Sequence, residues 1–150
     1  MSREIKFRGK RVDNGEWAFG MYLISGKNHH SPNLHVIYSD ENNLNQYMGL
    51  QGRTVIPETV GQFTGLTDKN GKEIYEGDIL KSSMPSDFDE ERVYSVGFYF
   101  GAFCFHKGTD KLPCRQWNDG SNDWYSIENI ESYLSEVIGN IHDNKSLCQQ

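Results

Sequence analysis

The chain predicts a mainly β fold of the α+β class, a small β-barrel-like or paired-sheet architecture with one short C-terminal helix. Three observations carry that prediction. Apolar residues recur with period two in many short runs. Turn-forming Gly, Asn and Asp separate those runs at close intervals, with 15 glycines against 4 prolines. Helical spacing of apolar residues is sustained in one place, near the C-terminus.

The first run, REIKFRGKR, alternates. Ile5 and Phe7 fall on one face and Glu4, Lys6, Arg8 and Lys10 on the other, the pattern of a half-buried strand. Asp13-Asn14-Gly15 then signals a hairpin turn, and EWAFGMYLI over 16–24 returns as an aromatic-rich strand. A polar loop over 25–32 precedes a strand at Leu34–Tyr38. Residues 39–52 read as a long loop, with a helical turn near 44–48 as an option. Thr54-Val55-Ile56 reads as a short strand ending at Pro57, and the next strand starts at Thr59.

The stretch GLTDKNGKEIYEGDIL (65–80) is the most patterned in the chain. Asn70-Gly71 suits a tight turn, Ile74 and Tyr75 suit core anchors, and Gly77-Asp78 turns the chain into a strand that starts at Asp78. Residues 82–90 form an acidic polar loop. Arg92–Phe100 and Ala102–His106 are strands on either side of Gly101, and 107–123 is irregular. Ile127, Ile130, Leu134 and Val137 keep helical spacing behind the N-cap candidate Ser126, so a helix is expected over 127–135. Glu136–His142 is β in character, with Gly139 opposing helix continuation. The whole is one domain over 1–150 that can be read as two lobes, about 1–62 and about 63–142. Asp13-Asn14-Gly15 and Asp68-Lys69-Asn70-Gly71 echo each other, and shared turn chemistry accounts for that better than duplication does.

The totals exclude some functions. Lys and Arg number 15 and Asp and Glu 21, a net charge of −6 that disfavours a general nucleic-acid binder. Three cysteines, Cys104, Cys114 and Cys148, have no framework spacing and suit reduced thiols. No leader-like segment or membrane-length apolar run is present, so a soluble cytoplasmic protein is expected.

Candidate chemistry is sparse. A calcium loop starting at Asp68 would need Gly at its sixth position, where Glu73 stands. The spacing of Gly65, Gly71 and Gly77 is too wide for a phosphate cradle. His30 and His35 approach metal-ligand spacing without a second pair, and Cys104 and His106 share only a strand face. The acidic run Asp87, Asp89, Glu90 and Glu91 reads as a solvated loop. No nucleophile motif is present, so neither catalytic residues nor a cofactor or metal are expected.

A basic cluster remains: Arg3, Lys6, Arg8, Lys10 and Arg11 are five of the 15 basic residues. With Phe7 and Trp17 near, it could contact nucleic acid. The reading preferred here is an edge strand whose charge blocks unwanted pairing.

Three segments occur in order: REIKFRGK, VIPETVGQFTGLTDKNGKEIYEGDIL and EVIGNIHDN. Together they resemble the YopX family of phage- and prophage-encoded proteins. Leu80 stands where valine is usual, and Lys145 where proline is often found. The regions 25–52 and 82–125 carry little of the likeness. The resemblance implies a β-rich α+β fold and no transferable catalytic residues. The expected function is a non-enzymatic interaction or assembly module whose partner is a second copy of itself or a host or phage protein. Nucleic acid is the alternative partner, and a membrane is not expected.

Overall fold

The computed structural model describes residues 4–26, 33–38, 52–82, 92–99, 101–107, 124–126, 135–144 and 146–147. The chain divides into two compact units, Met1–Phe63 and Thr64–Gln150. The paired-sheet option holds: the described strands form two antiparallel sheets, neither closed into a barrel.

In the first unit, strands β1 (Phe7–Lys10), β2 (Trp17–Ser25), β3 (Leu34–Tyr38) and β4 (Gly52–Thr54) and the start of β5 (Gly61–Thr67) lie in the order β4-β3-β2-β1-β5. The expected hairpin is present, with Lys10 opposite Trp17 and Phe7 opposite Gly20. Its loop closes through Arg11 N–H to Glu16 O at 2.8 Å, with Gly15 at φ 73°.

The edge-strand reading of the basic segment is corrected. β1 is interior, bonded to β2 on one side and, through Phe7–Gln62 and Arg8–Gly61, to β5 on the other. Its second neighbour comes from far along the chain, so local sequence could not reveal it. A second correction concerns residues 54–64. The strand there is Gly52–Thr54, Pro57–Thr59 is a 3-10 turn, and β5 starts only at Gly61. Pro57 presets the helical φ at the turn's first position. Thr59 Oγ1 donates to Ile56 O at 2.7 Å and accepts Lys10 N–H at 2.8 Å, which fastens the turn to β1.

This sheet curls. An isolated bridge pairs Arg11 with Val55, flanked by Ile56 N–H to Lys10 O at 2.8 Å and Val12 N–H to Thr54 O at 3.0 Å. The end of β1 therefore meets the segment that follows β4. Inside the curl Ala18, Ile37 and Val55 form the core, with Phe7, Tyr22 and Val60 packed against it. The bend leaves little room. A Cβ added to Gly9 would lie 3.1 Å from Val55 and 3.2 Å from Ile37. Ala18 faces the same interior, and small residues at such points let the strands approach.

The second unit contains the rest of β5, then β6 (Glu73–Tyr75), β7 (Asp78–Ser82), β8 (Arg92–Tyr99), β9 (Ala102–Lys107), β10 (Trp124–Ser126) and β11 (Ser135–Asn140). Its main sheet has the order β10-β9-β8-β7-β11, and β6 pairs with β5. The core is Ile74, Leu80, Tyr94, Val96, Phe105 and Val137, with Leu66 against it. Gly101, at φ 83°, makes the tight turn between β8 and β9. β10 was not foreseen, and Ser126, the expected N-cap, is its last residue. The helix expected over 127–135 lies outside the described residues except at Ser135, which opens β11. The expected loops at 39–52 and 82–90 fall outside them too, except at Gly52 and Ser82, which belong to β4 and β7.

Candidate functional site

The basic strand and its aromatic neighbours meet on the outward face of the curled sheet. β1 alternates as its sequence demands: Phe7 and Gly9 turn into the core, Arg8 and Lys10 away from it. The Arg8 guanidinium lies over the Trp17 ring at 4.7 Å, and Lys10 Nζ is 5.7 Å from the same ring. Lys6 Nζ lies 5.1 Å from the Phe63 ring and 3.5 Å from Glu4. Each cation over a ring contributes about 0.5–2 kcal/mol, more where water is excluded. Arg8 is only 7% exposed, so it is a packing residue with a charge rather than an open contact.

The other two members of the cluster do not join this row. Arg3 lies outside the described residues. Arg11 turns to the hairpin loop, with Nη2 2.6 Å from Asp13 Oδ2 and Nη1 3.4 Å from Glu16 Oε2. The bond from Arg11 holds the Asp13 carboxyl below its ordinary range, and the Asp13 bond in turn raises the guanidinium.

β2 extends the face with an apolar stripe that sequence reading missed. Phe19, Met21 and Leu23 are 41%, 54% and 48% exposed, at alternate positions on the Trp17 side of the strand. Phe19 sits opposite Arg8, and Leu34, also exposed, sits opposite Ser25 on β3. The run WAFGMYLI is apolar at both parities, so alternation alone could not say which half is buried. Residue size is a signal only over 17–20, where Trp17 and Phe19 are large and Ala18 and Gly20 small; beyond it Tyr22 and Ile24 on the opposite parity are large too, and Ile24 is itself exposed.

Tyr22 Oη and His35 Nδ1 are hydrogen-bonded, with their rings stacked at 5.8 Å, and burial raises the Tyr22 hydroxyl pKa. Burial likewise raises the Cys104 thiol. His29, His30, Cys114, Cys148 and the acidic run 87–91 lie outside the described residues. Among the described residues no group of three or more His, Cys, Asp or Glu could hold a metal ion. No described helix is long and apolar enough to cross a membrane.

The patterned stretch 65–80 is a clasp. Asp68 is 5% exposed, and its carboxylate accepts three backbone N–H groups. Oδ1 takes Asn70 at 2.8 Å and Lys72 at 2.9 Å, and Oδ2 takes Val137 of β11 at 3.0 Å. Burial pushes this carboxyl up, but those three bonds and the nearby Lys72 charge outweigh it and hold the pKa below the ordinary value. Lys69 N–H donates to Ser135 O at 2.9 Å, and Lys69 Nζ pairs with Glu136 at 2.6 Å. Gly71 closes the turn onto Asp68 O with φ 80°. The second turn works the same way. Buried Asp78 accepts Tyr75 N–H at 2.8 Å, and Gly77 O accepts Ile141 N–H at 2.9 Å. Asn140 then caps the 140–144 turn by accepting His142 and Asp143 N–H. Two of the three segments singled out in the sequence therefore meet at β11.

The molecule is thus a small antiparallel β protein of two units, with an aromatic, cationic and apolar face on one of them. A family model described as YopX protein matches residues 6–149, and the chain belongs to the YopX family. No curated protein matches it significantly. Among solved structures it is similar to the crystal structure of protein EF1440 from Enterococcus faecalis. Identity is 24% over 98% of this chain and 99% of that one, with a TM-score of 0.48.

Proposed function

We propose that the chain is a non-enzymatic interaction or assembly module, a phage or prophage accessory protein that works in the host cytoplasm. Its contact surface is the outward face of β1 and β2, and its partner is a second copy of itself or a host or phage protein. The observation that carries this reading is the exposed stripe Phe19, Met21 and Leu23 beside the cation-covered Trp17. Contiguous exposed apolar side chains on one strand cost solubility, and aromatic, Met and Arg side chains are the types enriched in interface cores.

The test replaces Met21 and Leu23 with Ser. Both point to solvent, so the double variant should melt at the parental temperature. The parent should sediment as an oligomer, or capture a partner from host or phage lysate, and the variant should do neither. A parent that is monomeric without a partner, or a variant that associates unchanged, overturns the reading.

Nucleic acid is the second reading, favoured by Lys6, Arg8 and Lys10 sharing one face with Trp17 and Phe63. Lys6→Ala and Lys10→Ala are the informative variants, because Arg8 is buried and its loss would disturb folding. Binding should weaken steeply with added salt, and each variant should shallow that dependence by about one charge. Absence of DNA and RNA binding at low salt removes this reading.

A further inference from the structure

The two hairpin turns contain the same dipeptide, Asn14-Gly15 and Asn70-Gly71, and the structure treats their side chains differently. The nucleophile needed for deamidation is equally tied at both. Gly15 N–H donates to Arg11 O at 3.0 Å, and Gly71 N–H to Asp68 O at 2.9 Å. The asparagine amide is not. Asn14 is held at both ends by Glu16: its Oδ1 accepts Glu16 N–H at 3.0 Å, and its Nδ2 donates to Glu16 Oε2 at 2.6 Å. Asn70 is exposed, and its backbone N–H is bonded to Asp68 Oδ1. Among the described residues no hydrogen bond holds its side-chain amide. The space beside both asparagines is open, since a Cβ built on Gly15 or on Gly71 would meet nothing within 4 Å, so the side-chain hold is what separates them.

We propose that Asn70 is a site of spontaneous deamidation, preferred over Asn14 because its side-chain amide is free to turn onto the Gly71 nitrogen. The deprotonated Gly71 amide nitrogen attacks Asn70 Cγ. A C–N bond forms, and the side-chain nitrogen leaves as ammonia with the transferred proton. Water then opens the succinimide at either carbonyl, giving a normal aspartyl or a β-linked isoaspartyl unit. Nothing is oxidised or reduced, and water is the co-reactant. Glycine at the following position favours this step because it has no side chain to obstruct ring closure.

The location gives the modification a consequence. Asn70 N–H and Lys72 N–H both donate to Asp68 Oδ1, and Asp68 Oδ2 holds Val137. The isoaspartyl product lengthens the main chain between those two donors and adds a negative charge beside the buried carboxylate. It therefore loosens the hold on β11.

The experiment ages the purified full chain in mildly alkaline buffer and follows both asparagines by peptide mass mapping that separates aspartyl from isoaspartyl products. Position 70 should convert severalfold faster than position 14. In denaturant the two rates should converge, because the Glu16 hold is gone. Glu16→Ala should raise the Asn14 rate in the folded chain and leave that of Asn70 unchanged, and Asn70→Gln should abolish the faster conversion. Aged protein should show faster hydrogen exchange around 136–138 in proportion to its isoaspartyl content. Equal or reversed folded-state rates, or a Glu16→Ala variant without effect on Asn14, overturn the proposal.

Discussion

The two units hold themselves together by opposite means. In the first, the interior is apolar and close-packed, and charge is displaced onto the outer face over aromatic rings. In the second, an apolar core is fastened by carboxylates placed inside it, Asp68 and Asp78, whose oxygens accept backbone N–H groups. Buried carboxylates are costly unless fully bonded, and here they are used where turns must meet a strand from a distant part of the sequence. The difference separates two kinds of sequence signal. The most recognisable motif of the chain specifies the second unit's fold, while the face suited to contact lies in the first.

The comparison is broken most severely at Asp68. Asp68→Asn keeps the shape but replaces one acceptor oxygen with an NH₂ group, which opposes a backbone N–H. Loss of about 2–3 kcal/mol is expected, the range for a hydrogen-bonded buried charge. Hydrogen exchange should accelerate around β11 and leave β1–β3 unchanged. Acid should do the same to the parent. The folded-state pKa of Asp68 is depressed, so its contribution is complete above the unfolded carboxylate pKa and disappears as pH falls through the folded value. A pH titration of stability should show that acidic loss in the parent and a smaller one in Asp68→Asn.

Two glycines come next, one in each unit. Gly9→Val forces side-chain atoms into Val55 and Ile37, and overpacking of this kind costs about 1–3 kcal/mol. Gly71→Val meets no neighbour but must adopt φ near 80°, a strain of about 1–2 kcal/mol for an L-residue and more for a β-branched one. The first should raise exchange in β1–β3 and the second in the 68–72 turn. Parental melting of either variant contradicts its assignment.

The smallest effect is expected at Ser135, and it has the opposite sign. This residue is fully buried, and among the described residues its hydroxyl has no hydrogen-bond partner. Ser135→Ala removes an unsatisfied polar group and should stabilise the second unit by about 1 kcal/mol. A lower melting temperature would show that the hydroxyl is bonded in solution.

What was legible in the sequence follows from the range of the forces involved. Turn chemistry is local, so the Gly15, Gly71 and Gly101 turns and the strands beside them were readable. The β character of 136–140 was also readable, because Gly139 opposes a helix there. β1's place inside the sheet was not readable, because β5 supplies its second neighbour. The role of Asp68 was hidden for the same reason: Val137 lies far along the chain, and the calcium-loop test could show only what the turn is not. Of the five basic residues, β1 alternation correctly grouped Lys6, Arg8 and Lys10. It could not show that Arg8 is buried under a ring or that Arg11 serves the hairpin loop.

The Arg11–Val55 bridge sets an order of events in time. The β1–β2 hairpin closes through a short loop, and hairpins of that kind form in about 1–10 μs. The bridge joins residues separated by β2, β3 and β4, so it closes a longer loop at a larger loss of chain entropy. Until it forms the inner face, with Ala18 and Ile37, stays open to water and to other chains. Covering Ala18 and Ile37 therefore costs more chain entropy than closing the neighbouring hairpin, and that cost falls on one backbone contact.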